Sequence, residues 1–517
     1  MLNDVVILDG YTDEPAGLGV PPYINTYPRL IAGAIWSNNK KARIRYWTID
    51  MVRNDLSGFL NDAKRSDLVI IITGSEVPGK YIGGTPIKPH EIERIAFLLR
   101  DKKKILCGPG ARYGIGIGGG RLAIDPSRYR ALFDEVVTGD IEIYLDELIK
   151  HGFEKARPYL LRDKYDDLVE KFFILGTRIV QQHPNFGKNL IVEIETYRGC
   201  PRWITGGCSF CIEPRYGRPI MREPMNVIRE IEELYKLGVR HIRIGKQPDI
   251  LAYMASKIGE EEFPEPNTEA LEKLFRGIRH VAPGLATLHI DNVNPGTIAK
   301  HPEISIKALK IIIKYNTPGD VAALGIESFD PDVVKSNNLK VYPDEALNAI
   351  RIVNKVGKIR GWNNLPYLLP GINLLYGLPG ESRKTYEINE EYLKEILKEG
   401  LLVRRVNIRQ VSVLANTPLW LRSDIVFHVI NRHKRLFHSH RIRVMNLFDK
   451  EMLKRIVPEG TVLHYLYVEG YSRGFSIARF PGSYPIAVKI PGEIPRYSIV
   501  NTRIIKHSSK SVLGELI

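Results

Sequence analysis

From residue 190 to residue 414 the chain repeats one theme six times. A short apolar run ends in polar residues, and an amphipathic stretch precedes the next run. The runs are LIVEIETYRGC (190–200), HIRIGKQPD (241–249), ATLHIDNVNP (286–295), DVAALGIESFD (320–330), GINLLYGLPGES (371–382) and RRVNIRQVSVL (404–414). EPMNVIREIEELYKLG (223–238) and DEALNAIRIVNKVG (344–357) show the helical spacing between them. Continuous apolar strands alternating with helices require a parallel sheet covered by those helices. Six such units predict a partial or full (β/α) barrel over 190–445.

Two other textures flank it. In residues 1–150, VVILDGY (5–11), IRYWTID (44–50), DLVIIITGS (67–75), KILCGPGA (104–111) and EVVTGD (135–140) alternate with helical stretches such as HEIERIAFLLRDK (90–102). This is the pattern of a doubly wound α/β domain. Glycine-rich loops follow its third and fourth strands, GSEVPGKYIGG and GPGARYGIGIGGG. They read equally as ligand cradles or as tight turns. Residues 151–189 form a linker with one helix, DDLVEKFFILG. From 446 to 517, short β-rich runs divided by Gly and Pro predict a small all-β module. No apolar run is long enough to span a bilayer, so a cytoplasmic protein without a membrane partner is expected. Charged residues at 26% fit a globular chain, and the scarcity of Gln (181, 182, 247 and 410 only) resembles a thermophile's composition. The net charge of +15 permits a polyanionic partner.

Three of the four cysteines, Cys200, Cys208 and Cys211, fall in RGCPRWITGGCSFCIEP, just past the first barrel strand. That is the carboxyl face, where barrel active sites are built. Four cysteines in 517 residues cannot form a disulfide framework. A structural zinc site needs four ligands, which His183 or His241 would have to complete. A redox C-x2-C pair leaves Cys200 unused. Three thiolates suit a cubane iron–sulfur cluster whose fourth iron stays open. Cys107, in ILCGPG, reads as a buried strand-end residue.

The loop resembles the cluster loop of radical S-adenosylmethionine (radical SAM) enzymes, whose usual form is C-x3-C-x2-C with an aromatic before the last cysteine, here Phe210. Four extra residues widen the first gap. HIRIGKQPD stands where the family has a Gly-Gly-Glu turn; LGIESFDP resembles its G-x-E-S strand; NLLYGLPGES resembles its G-L-P-G-E-T strand end; VNIRQVSVLANTPL resembles its last strand. The resemblance covers about 190–445. It implies a [4Fe-4S] cluster on the three cysteines, S-adenosyl-L-methionine as second cofactor, and reductive cleavage to a 5′-deoxyadenosyl radical. It implies an electron donor such as ferredoxin or flavodoxin. Phe210, Gly245, Gln247, Glu327, Ser328, Gly377 and Leu378 are the implied cofactor-contacting residues. Gly245-Lys246-Gln247 departs from Gly-Gly-Glu.

The first 150 residues resemble a cobalamin-binding domain, but D-x-H-x-x-G is absent and no histidine precedes His90. The C-terminal module resembles the TRAM barrel of RNA-modifying methylthiotransferases. Those enzymes carry three further N-terminal cysteines, and only Cys107 is present here. NRHKRLFHSHRIR (431–443), basic with Phe437 and histidines interleaved, and RRVNIR (404–409) add a candidate phosphate-binding patch. RNA, tRNA above all, is the expected substrate. The alternatives are a radical enzyme acting on a small metabolite, lipid or peptide, and a non-enzymatic, metal-stabilised RNA-binding protein.

Overall fold

The computed structural model describes residues 2–12, 22–74, 84–116 and 118–517. Most of the GSEVPGKYIGG loop lies outside them. The N-terminal sheet has five parallel strands in the order Arg43–Thr48, Asp4–Asp9, Leu68–Ile72, Lys104–Cys107, Glu135–Val136. The middle strands are buried on both faces, which is why they read as unbroken apolar runs. Cys107 ends the fourth strand, fully buried. The expected linker belongs to the core: helix Asp167–Gly176 packs on helix Thr26–Asn38. A Cβ on Gly33 would stand 1.9 Å from the carbonyl oxygen of Phe172, so only glycine permits this approach.

The six barrel strands form two parallel sheets. One holds Ile191–Glu195, His241–Gly245 and Thr287–Ile290; the other holds Asp320–Ala323, Leu368–Tyr376 and Arg405–Gln410. A parallel bridge between Asn292 and Ala323 joins them. The barrel is split between its first and last strands, and the N-terminal domain covers both free edges. Tyr23–Ile24 pairs in parallel with Ile191 and Val192. On the other edge, the amides of Gly120 and Ala123 donate to the carbonyls of Val411 and Val413. The described part of the second glycine loop is thus backbone-pairing chain and tight turn. Covering both edges satisfies main-chain groups that a partial barrel leaves open.

Ser423–Val444 is a 22-residue helix, continued by a π-turn and the helix Lys450–Ile456. The β-module starts at Val462 and is a closed five-stranded barrel. It packs against the amino ends of the (β/α) strands. Asn189 donates to Glu469, the Thr287 hydroxyl donates to the Pro481 carbonyl, and the Ser483 amide donates to His289 Nδ1 at 2.9 Å. The cysteines lie beyond the opposite, carboxyl ends of those strands. Among the described residues no helix is long and apolar enough to cross a membrane.

Candidate active site

The first barrel strand ends at Glu195. The chain then makes a short hairpin, Tyr197–Arg198 with Ile220–Met221, and the cysteine loop is the hairpin's excursion. Cys200 and Cys208 are buried and Cys211 is half-buried. Burial, reinforced by the neighbouring thiols, pushes Cys200 up to about 12 and Cys211 higher still. Free thiolates at Cys200 and Cys211 are therefore disfavoured unless a cation lies among the sulfurs. Among the described residues no three Cys, His, Asp or Glu side chains converge on one metal point. A cubane needs no such convergence, because each thiolate binds a different iron. Neither histidine completes a zinc site. His241 starts a strand and meets Thr287 Oγ1 at 2.9 Å, while His183 Nδ1 accepts from the Asn185 amide. Three thiolates without histidine are the donor set of an iron–sulfur cluster with one iron free.

The structure draws several expected residues to this loop. Phe210, Cys208, Cys211 and Leu378 share one apolar cluster with Val411, Val413 and Leu419. The Ser209 amide donates to the Asn337 carbonyl, and the Leu419 amide donates to the Ser209 carbonyl. Gly377 turns the GLPGES strand end at φ 87°, and a Cβ there would stand 2.6 Å from Ile430. Its amide donates to Glu381, which also accepts from the Tyr386 hydroxyl at 2.8 Å and meets His433 Nδ1 at 2.8 Å.

Glu327 and Lys246 both hold left-handed backbones, φ 68° and 66°, a strain that concentrates at functional sites. Burial raises the Glu327 carboxyl and the Lys340 ammonium opposes that rise. Both groups crowd Gly325: a Cβ there would stand 2.5 Å from Lys340 Nζ and 3.2 Å from Glu327 Oε1. Gln247 is buried; its Nε2 donates to the Ile244 carbonyl at 3.0 Å, and its Oε1 has no hydrogen-bond partner among the described residues. That orphaned acceptor at the strand end is suited to a donor such as an amino group. Ser328 has a local task, accepting the Asp330 amide at the start of helix Pro331–Ser336.

Two expectations about the basic patch are corrected. Arg404 and Arg405 of RRVNIR are half-buried rather than open surface charges; burial lowers them to about 9 and about 10, and Arg405 stacks 4.2 Å from the Tyr484 ring. On helix Ser423–Val444, Phe437, His433 and His440 point inward, so they offer no stacking face. Arg432, Lys434, Arg435, His438 and Arg441 point outward.

The widening segment PRWITGG is a 3-10 turn, Pro201–Thr205, followed by Gly206 and Gly207 at positive φ. Arg202 in it is 1% exposed and bonds to Cys208, Glu262 and the Asn338 carbonyl. Its neighbours Trp203 and Ile204 face solvent. Reading the sequence did not single out Arg202, Lys340 or Asn338. Arg202 lay in a segment already marked as unusual, and the other two carry no motif.

Comparison with known proteins identifies the domain that carries this loop. Residues 194–385 match the Radical SAM superfamily. An uncharacterized protein of Methanocaldococcus jannaschii is 44% identical over 100% of this chain and 94% of its own length. The tRNA-2-methylthio-N(6)-dimethylallyladenosine synthase of Clostridium novyi is 21% identical, over 60% of this chain and 62% of that one. The ribosomal protein uS12 methylthiotransferase RimO of a Thermoanaerobacter species is 24% identical, over 40% of this chain and 41% of that one. The cobalamin-dependent S-adenosylmethionine radical enzyme OxsB shares the fold at TM-score 0.52 and 12% identity, across 85% of this chain and 56% of that one. Matched along the barrel core and carrying the three-cysteine loop at the carboxyl ends of its strands, this chain belongs to the radical SAM superfamily.

Proposed function

We propose that this radical SAM enzyme modifies RNA, tRNA foremost, in the cytoplasm, with a ferredoxin or flavodoxin as electron donor. When bound, the [4Fe-4S] cluster and S-adenosylmethionine supply a 5′-deoxyadenosyl radical that takes a hydrogen atom from substrate. Cys200, Cys208 and Cys211 would hold the cluster. Gln247 Oε1 and Glu327 face the ends of the second and fourth barrel strands as polar contacts for the cofactor, and Phe210 with Leu378 keeps water from the sulfurs. The N-terminal domain walls the split of the barrel and offers no axial histidine ahead of His90.

The observation that carries the RNA reading is the outer face of helix Ser423–Val444. Arg432, Lys434, Arg435 and Arg441 are exposed, and no ion pair engages them among the described residues. The helix begins where Leu419 touches the cysteine loop and leads down to the β-module. At 1.5 Å per residue the four cations span about 14 Å along the later part of that helix. The tRNA-modifying relative and the TRAM-like closed barrel support the same substrate class. The test compares digested tRNA from cells with and without the gene by mass spectrometry, and adds tRNA to the reconstituted protein. A nucleoside missing from the deletion strain and tRNA-dependent turnover are expected. Unchanged tRNA together with an altered small metabolite would overturn the RNA reading.

A further inference from the structure

Arg202 comes from the segment that makes the cysteine loop wider than the family norm. Its Nη1 lies 3.0 Å from Cys208 Sγ. Nε donates to Glu262 Oε1 at 2.6 Å, and Nη2 donates to the Asn338 carbonyl at 2.9 Å. The guanidinium is thus held beside the sulfur by three anchoring residues, Glu262, Asn338 and Leu339, whose carbonyl accepts from Nη2 at 3.3 Å. Asn338, itself at φ 49°, donates from its side chain to the carbonyls of Thr205 and Gly207 at 3.0 Å each, which closes the insertion over the arginine. The other hydrogen bonds of this buried guanidinium all go to oxygen, and the Cys208 sulfur is its one contact to the cysteine loop's thiols. Among the described residues Arg202 is the cation hydrogen-bonded to a cysteine of the loop.

We propose that Arg202 sets the reduction potential of the cluster by donating a charge-assisted hydrogen bond to the Cys208 thiolate; this rests on the radical SAM reading of the three cysteines. One electron passes from the donor to the cluster, and no bond is made or broken in that step. The reduced cluster carries one more negative charge, so a nearby cation and a hydrogen bond to sulfur favour the reduced form. Glu262, 28% exposed at its side chain, partly offsets that cation while it orients it. PRWITGG therefore serves to deliver a cation to one ligand.

The test is an EPR-monitored redox titration of the reconstituted holoprotein with dithionite and mediators. Arg202→Gln should lower the ratio of reduced to oxidised cluster about tenfold at a fixed poise, equivalent to about 59 mV for a one-electron couple. Arg202→Lys should fall between it and the parent. Glu262→Gln should move the ratio the opposite way, upward. Asn338→Gly keeps the left-handed backbone and the carbonyl anchor but loses the Oδ1 contact to Nη2 and frees the insertion, so it should shift the potential much less than Arg202→Gln. If Arg202→Gln loads no cluster, the Lys and Glu262 variants decide. An unchanged potential at full iron content, a downward shift in Glu262→Gln, or an Asn338→Gly shift as large as that of Arg202→Gln would overturn the proposal while the superfamily reading stands. Absence of any cluster in the parent protein would instead sink the reading on which it rests.

Discussion

Consider replacing Arg432, Lys434, Arg435 and Arg441 together with glutamine. All four are exposed on one helix, and glutamine keeps a comparable helix propensity, so the fold and the cluster content should be untouched. Each cation that meets a phosphate releases about 0.7–0.9 of a counterion. Removing four such contacts makes the slope of log K against log salt shallower by about 3. At about 0.15 M salt the same four contacts are worth roughly a 300-fold loss in affinity. Filter binding or fluorescence anisotropy with unfractionated tRNA, at five salt concentrations between about 0.05 and 0.3 M, measures both quantities. The variant should bind weakly and with a shallow slope at every salt. Equal slopes for parent and variant would refute the reasoning, because the track would then carry no phosphate. Tight parent binding with no salt dependence would refute it as well.

Other expected outcomes follow from particular side chains. Glu381→Ala removes the acceptor of the Gly377 amide and the partner of His433, so the KM for S-adenosylmethionine should rise about tenfold or more in steady-state kinetics while iron content holds. Glu230→Gln strips the shared carboxylate from Arg29 and Arg222, all three side chains 0% exposed, and should cost about 3–5 kcal/mol in denaturant unfolding. Burial holds His289 down at about 3. The unfolded chain therefore takes up a proton near pH 6.5 that the folded chain refuses, and stability is lost as pH falls below about 6.5. His289→Gln should flatten that fall by about 1.4 kcal/mol per pH unit between pH 6 and 4, relative to the parent.

Much of this architecture was legible because burial on both faces leaves a strong mark. Asp4–Asp9, Leu68–Ile72, Lys104–Cys107 and most of the barrel strands carry apolar runs punctuated by polar ends. Tyr23–Ile24 left no such mark. Two residues are too few for a pattern, and their pairing depends on Ile191, far along the chain. The helix through Ile456 was obscured because its charges and aromatics alternate in sequence but separate in space: Phe437 and His440 go inward, Lys434 and Arg441 outward. RRVNIR read as surface charge, yet a strand feeding a barrel interior can hold Arg405 against Tyr484. At the site, the three cysteines were recognisable from spacing and position. Arg202 was not, because its role depends on Glu262 and Asn338, which arrive from separate loops. Lys340 likewise gains meaning only beside Glu327 and Gly325, just past the end of the fourth barrel strand.

The most direct measurement is anaerobic reconstitution with iron and sulfide, followed by dithionite and S-adenosylmethionine. A brown protein with about four irons per chain is expected, with release of 5′-deoxyadenosine and methionine, and loss of both colour and cleavage in Cys200→Ala, Cys208→Ala and Cys211→Ala. A colourless protein that binds one zinc and leaves S-adenosylmethionine intact would contradict it.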